Sequence, residues 1–242
     1  MFTRTESFRD FIRLYPLVSI IIIIHVVLYL FTILPMFPNS WFFENLSGVN
    51  LYIMEGEYWR LITPTFMHGS FSHMLFNSFS LVLFGPALER MLGHGRFLII
   101  YLVCGLIANV ATLLLEPLTY THVGSSGAIF GLFGYYIAII MFRKHMLSKQ
   151  NAQIIITLSV VSLIMTFLQP NINITAHLFG LLGGFLLGAI PYFNKKDLTN
   201  SIQVTANWAG SHRRNLSLQS PVKLIIWGAI IIIAILGFLT QQ

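Results

Sequence analysis

The sequence has one cysteine and very little charge. Cys104 stands alone in an apolar run, which excludes an intramolecular disulfide and any cysteine-type metal cluster, and leaves the redox compartment open. Charged residues are 9% of the 242, against roughly a quarter in an average soluble domain. With 56% hydrophobic residues, that composition excludes an ordinary water-soluble domain and points to lipid as the solvent. Acidic residues are the scarcest charged class: 8 Asp and Glu against 14 Lys and Arg, a formal net charge of +6. Such an excess would suggest nucleic acid in a soluble chain, but the placement of the cations accounts for it here and no nucleic-acid partner is expected. Internal repeats are missing, as are low-complexity tracts beyond isoleucine runs such as Ile20 to Ile24.

What is present is a series of apolar stretches. A helix crossing the hydrocarbon core needs about 20 mostly apolar residues, and seven stretches qualify: 17–34, 71–90, 97–115, 126–142, 152–169, 174–193 and 222–240. Arg4, Arg9 and Arg13 precede the first, as in a secretory leader. However, the run is as long as a full span and is followed by Pro35-Met36-Phe37-Pro38, not by a small-x-small cleavage site. We read it as a retained first helix. The predicted organisation is a short cytoplasmic N-terminus (1–16), a six-helix core (17–193) that includes a long outer connection at 35–70, a polar cytoplasmic linker (194–221) and a seventh helix (222–242).

Cytoplasmic connections carry the excess of Lys and Arg. Arg4, Arg9 and Arg13, then Arg90 and Arg96, then Arg143, Lys144 and Lys149, then Lys195, Lys196, Arg213, Arg214 and Lys223 fall on alternate sides of successive spans. The other connections hold Glu44, Glu55, Glu57 and Glu116, with Arg60 as their one cation. This alternation predicts a multi-pass cell-membrane protein with its N-terminus inside and its C-terminus outside.

Spans two, four and six contain polar residues that a lipid-facing helix has no reason to keep, and an intramembrane ionisable group is a functional candidate. His73 and Asn77 are four apart, hence on one helix face near the outer end of span two. Ser126 opens span four after Gly124-Ser125, and His177 lies near the start of span six. All four reach the membrane from the same side. A serine hydroxyl attacks a carbonyl when a neighbouring base takes its proton, and Ser126 and His177 are the candidate pair. The tetrahedral intermediate needs donors, which a helix N-terminus, the Asn77 amide and the His73 ring could supply. No carboxylate lies in the spans near them, so the expectation is a dyad without an orienting acid. Gly127 and Gly131 in span four and Gly180, Gly184 and Gly188 in span six offer small faces for close helix packing.

Each feature alone has an ordinary explanation. Small-residue stripes pack many membrane helices, a serine at a span's start is usually a cap, and a histidine near a span end can simply sit at the interface. His25, in span one, reads as such a histidine with no polar companions, and His94, His122, His145 and His212 receive no role. Convergence of four polar groups at one depth is what the ordinary explanations do not require.

In order along the chain stand Trp59-Arg60; His68 with His73 five residues on and Asn77 four further; Glu89-Arg90 with Gly93; Gly124-Ser125-Ser126-Gly127; and Ala176-His177 followed by Gly180, Gly183 and Gly184. This set resembles the rhomboid intramembrane serine proteases, whose Gly-x-Ser-Gly selects Ser126 over Ser125. The resemblance implies an all-α, rhomboid-like six-helix bundle with one extra C-terminal transmembrane helix. It implies an active site open to the outer side, no cofactor or metal, and membrane-protein substrates with one or more spans, cut within or beside a transmembrane segment. Phe130 departs from the tyrosine that many bacterial relatives place four residues after the nucleophile; stacking under the histidine survives, the hydroxyl does not. The alternatives are an inactive, client-binding relative, which would have lost the serine or histidine, and a transporter, which would be expected to show paired carboxylates or inverted repeats. Oligomeric state and physiological substrate are not encoded in any feature of the sequence.

Overall fold

The computed structural model describes residues 6–190; the expected linker at 194–221 and seventh helix at 222–240 lie outside the described residues. Nine helices occur among the described residues: α1 (Phe8–Leu14), α2 (Pro16–Ile33), α3 (Asn39–Leu46), α4 (Asn50–Met54), α5 (Phe71–Leu92), α6 (His94–Leu115), α7 (Ser126–Phe142), α8 (Lys149–Leu168) and α9 (Ile174–Ala189). Short 3₁₀ turns at Tyr58–Leu61 and Thr63–Phe66 lead into α5. Helices α2, α5, α6 and α8 are long and apolar enough to cross a membrane, and α7 and α9 are shorter apolar helices. The first six predicted stretches each coincide with one of these.

Local chemistry explains the boundaries. Pro16 stands at the first position of α2, where its missing N–H costs nothing. Ser70 and Ser148 accept hydrogen bonds from the third residue of α5 and α8, His73 and Asn151 respectively. Gly93, at φ 78°, makes the reversal between α5 and α6 that a residue with a Cβ would adopt only under strain.

The N-terminus of α2 is capped from a distance. Leu17 N and Val18 N each donate to the Glu89 carboxylate of α5 at 3.0 Å, and His94 Nδ1 lies 2.6 Å from the same group. A fully buried carboxylate is tolerable because the helix dipole and these donors compensate it.

A strictly all-α description needs one correction. Strand β1 (Gly48–Val49) pairs antiparallel with β2 (Thr121–His122), Gly48 opposite His122. Two-residue strands leave no alternating pattern to read, and their pairing joins connections about 70 residues apart. The 35–70 connection is likewise partly helical, holding α3 and α4.

Helix α7 is the centre of the bundle, with every residue from Gly127 to Tyr136 buried. Its glycines bring α9 into backbone contact. A Cβ at Gly180 would overlap the Gly127 carbonyl, one at Gly184 the Gly131 carbonyl, and one at Gly134 the Leu181 carbonyl. Helix α6 closes the other side, with Ala108 against Gly127 and Cys104 against Gly131. Such contacts between small residues are how helices associate where lipid supplies no hydrophobic drive. Because backbone cannot move aside as a side chain can, Gly184→Ala should destabilise by on the order of 1–3 kcal/mol or more. Gly95→Ala, where a new Cβ meets nothing, should be neutral or slightly stabilising. Thermal unfolding in detergent checks this, and equal Tm values for the two variants would contradict the packing.

Candidate active site

The first turn of α5 carries His73 and, one turn on, Asn77. Asn77 is buried and its Nδ2 has no hydrogen-bond partner among the described residues. Against these side chains runs the segment that enters α7. Gly124 holds φ +126°, and a Cβ there would lie 2.6 Å from His73 Nε2 and 3.7 Å from Asn77 Nδ2. Only glycine provides both the backbone conformation and the space. Its N–H donates to Pro64 O at 2.8 Å, pinning the turn to the segment before α5. Ser125 then stands at the N-cap position of α7, fully buried and without a side-chain cap bond, whereas Ser126, the first helical residue, is half-buried.

Helix α9 begins at a cap in which Asn173 Oδ1 accepts from Ala176 N at 2.8 Å. His177 follows directly and is buried. Its ring stacks on Phe130, centroids 4.2 Å apart and planes 17° from parallel, and its Nδ1 lies 2.8 Å from Thr166 Oγ1 of α8. A Cβ at Gly127 would be 3.4 Å from the Ala176 carbonyl, so the residues next to Ser126 and His177 are in van der Waals contact. The structure thus gathers His73, Asn77, Gly124, Ser126, Gly127, Phe130 and His177 at the starts of α5, α7 and α9, with Gly180 and Gly184 supporting the α7–α9 contact. No hydrogen bond joins Ser126 to His177 among the described residues. Resting geometries of catalytic pairs are often open in this way and tighten with substrate.

Two histidines were misjudged from sequence. His25 does have polar companions: Ser78 Oγ lies 3.2 Å from Nδ1 and Tyr101 OH 3.5 Å from Nε2. They come from α5 and α6, 53 and 76 residues away, so no local pattern announces them. The His25 ring meets His68 edge-on at 4.6 Å, and His68 meets His73 at 5.1 Å, which places a file of three imidazoles behind the start of α5. Burial, then the neighbouring His25 and His73, pushes His68 down to about 2, so it is neutral at any ordinary pH. His122, given no role from sequence, is buried in β2 and packs so closely over Gly48 that a Cβ there would overlap its ring. Thr166 was also missed, and nothing in its spacing of eleven residues from His177 marks it.

A bundle of apolar helices with these polar groups at one end defines the class as a multi-pass helical membrane protein. The Rhomboid domain family model matches residues 55–192, and the chain belongs to the rhomboid family. It is 51% identical over 187 residues to YdcA of Bacillus subtilis, whose name as a rhomboid protease is itself provisional; the match covers 77% of this chain and 94% of that one. Identity to the rhomboid protease GluP of Bacillus subtilis is 38% over 140 residues, 58% of this chain and 27% of GluP. Rhomboid-like protease 1 of Toxoplasma gondii is 30% identical over 173 residues, 70% of this chain and 58% of that protein.

Burial pushes His122 down to about 4, whereas an unfolded histidine titrates near 6.5. Between those values the unfolded chain binds the extra proton, so stability falls as pH falls from about 6.5 to about 4, by up to about 3 kcal/mol from this residue. His122→Gln should therefore lose less Tm than wild type between pH 7 and pH 4.5. An unchanged loss would show that His122 does not carry that dependence.

Proposed function

We propose that the chain is an intramembrane serine endopeptidase that cuts other membrane proteins within or beside a transmembrane segment, with Ser126 as nucleophile and His177 as general base. The observation that carries this reading is the Asn77 amide, a buried donor without a partner among the described residues, set against the glycine turn that leads into Ser126. A buried unsatisfied donor costs about 1–3 kcal/mol, and such groups in folded proteins call for an explanation such as a catalytic role. An oxyanion that forms only during reaction would satisfy it.

In this mechanism Ser126 Oγ attacks the scissile carbonyl carbon while His177 Nε2 takes the hydroxyl proton. Charge collects on the carbonyl oxygen, which accepts hydrogen bonds from Asn77 Nδ2, the His73 ring N–H and backbone N–H groups at the start of α7. Collapse expels the amine, which receives the proton from His177, and leaves an ester on Ser126. Water then attacks the ester with His177 again as base, releasing the acid and restoring the serine. Phe130 keeps the imidazole plane fixed through both halves.

The proposed architecture is a six-helix catalytic core at 17–193, with a cytoplasmic N-terminus, a 194–221 linker and a seventh helix at 222–242 ending outside. The site would open to the outer side. The alternation of Lys and Arg along the chain supports this arrangement.

Cleavage of a single-span substrate by the detergent-purified protein tests the reading. Ser126→Ala and His177→Ala should abolish it. Asn77→Ala should lower kcat by up to about 10²–10³ with KM nearly unchanged, because the donor acts in the transition state. His73→Ala should behave similarly and the double variant worse. Full turnover in both single variants, with folded protein, would make the pair structural.

A further inference from the structure

We propose that Thr166 is the positioning residue of the Ser126–His177 pair, holding the imidazole in the tautomer whose Nε2 is free to accept the serine proton. This rests on the reading of those two residues as nucleophile and base.

Hydrogen counting at one oxygen supports it. The Thr166 hydroxyl has a single proton and two neighbours: the Ser162 carbonyl oxygen at 3.0 Å, one turn back in α8, and His177 Nδ1 at 2.8 Å. A carbonyl can only accept, so the contact to Ser162 O is a hydrogen bond only if the hydroxyl proton goes there, a common arrangement for threonine in a helix. What Thr166 presents to the ring is then a lone pair. With that proton on Ser162 O, a bare Nδ1 would place two lone pairs face to face, so both contacts are satisfied together only when Nδ1 carries its own proton. Neutral imidazole has one N–H, and with it on Nδ1 the lone pair is on Nε2. That is the form a general base requires.

The surroundings strengthen the effect. Thr166 is 1% exposed, so water does not compete for the bond. The Phe130 stack fixes the plane of the ring but not which edge points where. The bond to Thr166 chooses between the two flipped orientations. When His177 becomes imidazolium, Nδ1 keeps its proton and its acceptor, so the ring need not turn during the reaction. A neutral hydroxyl does this without a second buried charge, which suits a site where no carboxylate contacts the imidazole among the described residues.

The test compares wild type, Thr166→Val, Thr166→Ser, and Ser126→Ala as control, with the full chain in detergent and a single-span substrate. Thr166→Val keeps the shape and removes the acceptor; kcat should fall roughly ten- to a hundred-fold, the cost of losing a group that orients a working imidazole through its other nitrogen. KM should stay close to the wild-type value. Thr166→Ser, which can make the same two bonds, should recover most of the rate. Imidazole ¹⁵N NMR, with the His177 signals identified by their loss in His177→Ala, should show a protonated Nδ1 in wild type and a shift toward the Nε2-protonated form in Thr166→Val. Wild-type turnover in Thr166→Val, failure of Thr166→Ser to recover, or a wild-type ring protonated on Nε2 would each overturn the assignment. Cleavage surviving in Ser126→Ala would instead overturn the nucleophile, and the NMR readout would still decide the role of Thr166.

Discussion

The backbones of α7 and α9 touch, and the rest of the site depends on it. With Gly127, Gly131 and Gly134 facing Gly180, Gly184 and the Leu181 carbonyl, no side chain separates the two helices. Helices so close have little freedom to slide, because each Cα of one sits against a carbonyl of the other. At their common end Ser126 and His177 stand next to Gly127 and Ala176, which touch. Phe130, one turn beyond Ser126, comes to lie over the imidazole for the same reason.

Around that contact, the described interior satisfies most of its polar groups from distant segments. Arg60, nearly fully buried, donates to the carbonyls of Glu44 and Ser47 and pairs with Glu57. The Asn50 amide donates to the carbonyls of Thr112, Glu116 and Pro117, and the Asn109 amide to Leu61 O and Thr65 Oγ1. Among the described residues several buried polar atoms lack a hydrogen-bond partner, the ring nitrogens of His68 and His122 and the hydroxyls of Ser125 and Ser159 among them, and Asn77 Nδ2 is the one amide nitrogen in that set. The amides of Asn50 and Asn109 have their N–H groups taken by the fold, and the one beside Gly124 has no partner among the described residues. Preorganised donors without ground-state partners stabilise charge that appears only in a transition state, since nothing must be broken first.

Sequence periodicity and spacing carried much of this. The first six apolar stretches marked helices because hydropathy over about 20 residues is a strong signal. The pairing of His73 with Asn77 was readable because helical residues four apart share a face, and the glycine stripe because small residues at that spacing favour close approach. What escaped notice were contacts between segments remote in the chain. His25 finds Ser78 and Tyr101 on other helices, Glu89 reaches back 72 residues to cap α2, and the β1–β2 pair is two residues long on each side. Thr166 is the instructive case: a threonine in an apolar helix looks like filler bonded back to its own helix, and only the placement of α8 beside α9 brings the His177 ring to its oxygen.

The central claim is that Ser126, and not its buried neighbour Ser125, is a nucleophile activated by His177. Treating the purified protein with a serine-directed fluorophosphonate and locating the adduct by peptide mass spectrometry tests this most directly. The account predicts one adduct, on Ser126, lost in Ser126→Ala and nearly lost in His177→Ala. An adduct on Ser125, or labelling undiminished in either variant, would contradict it.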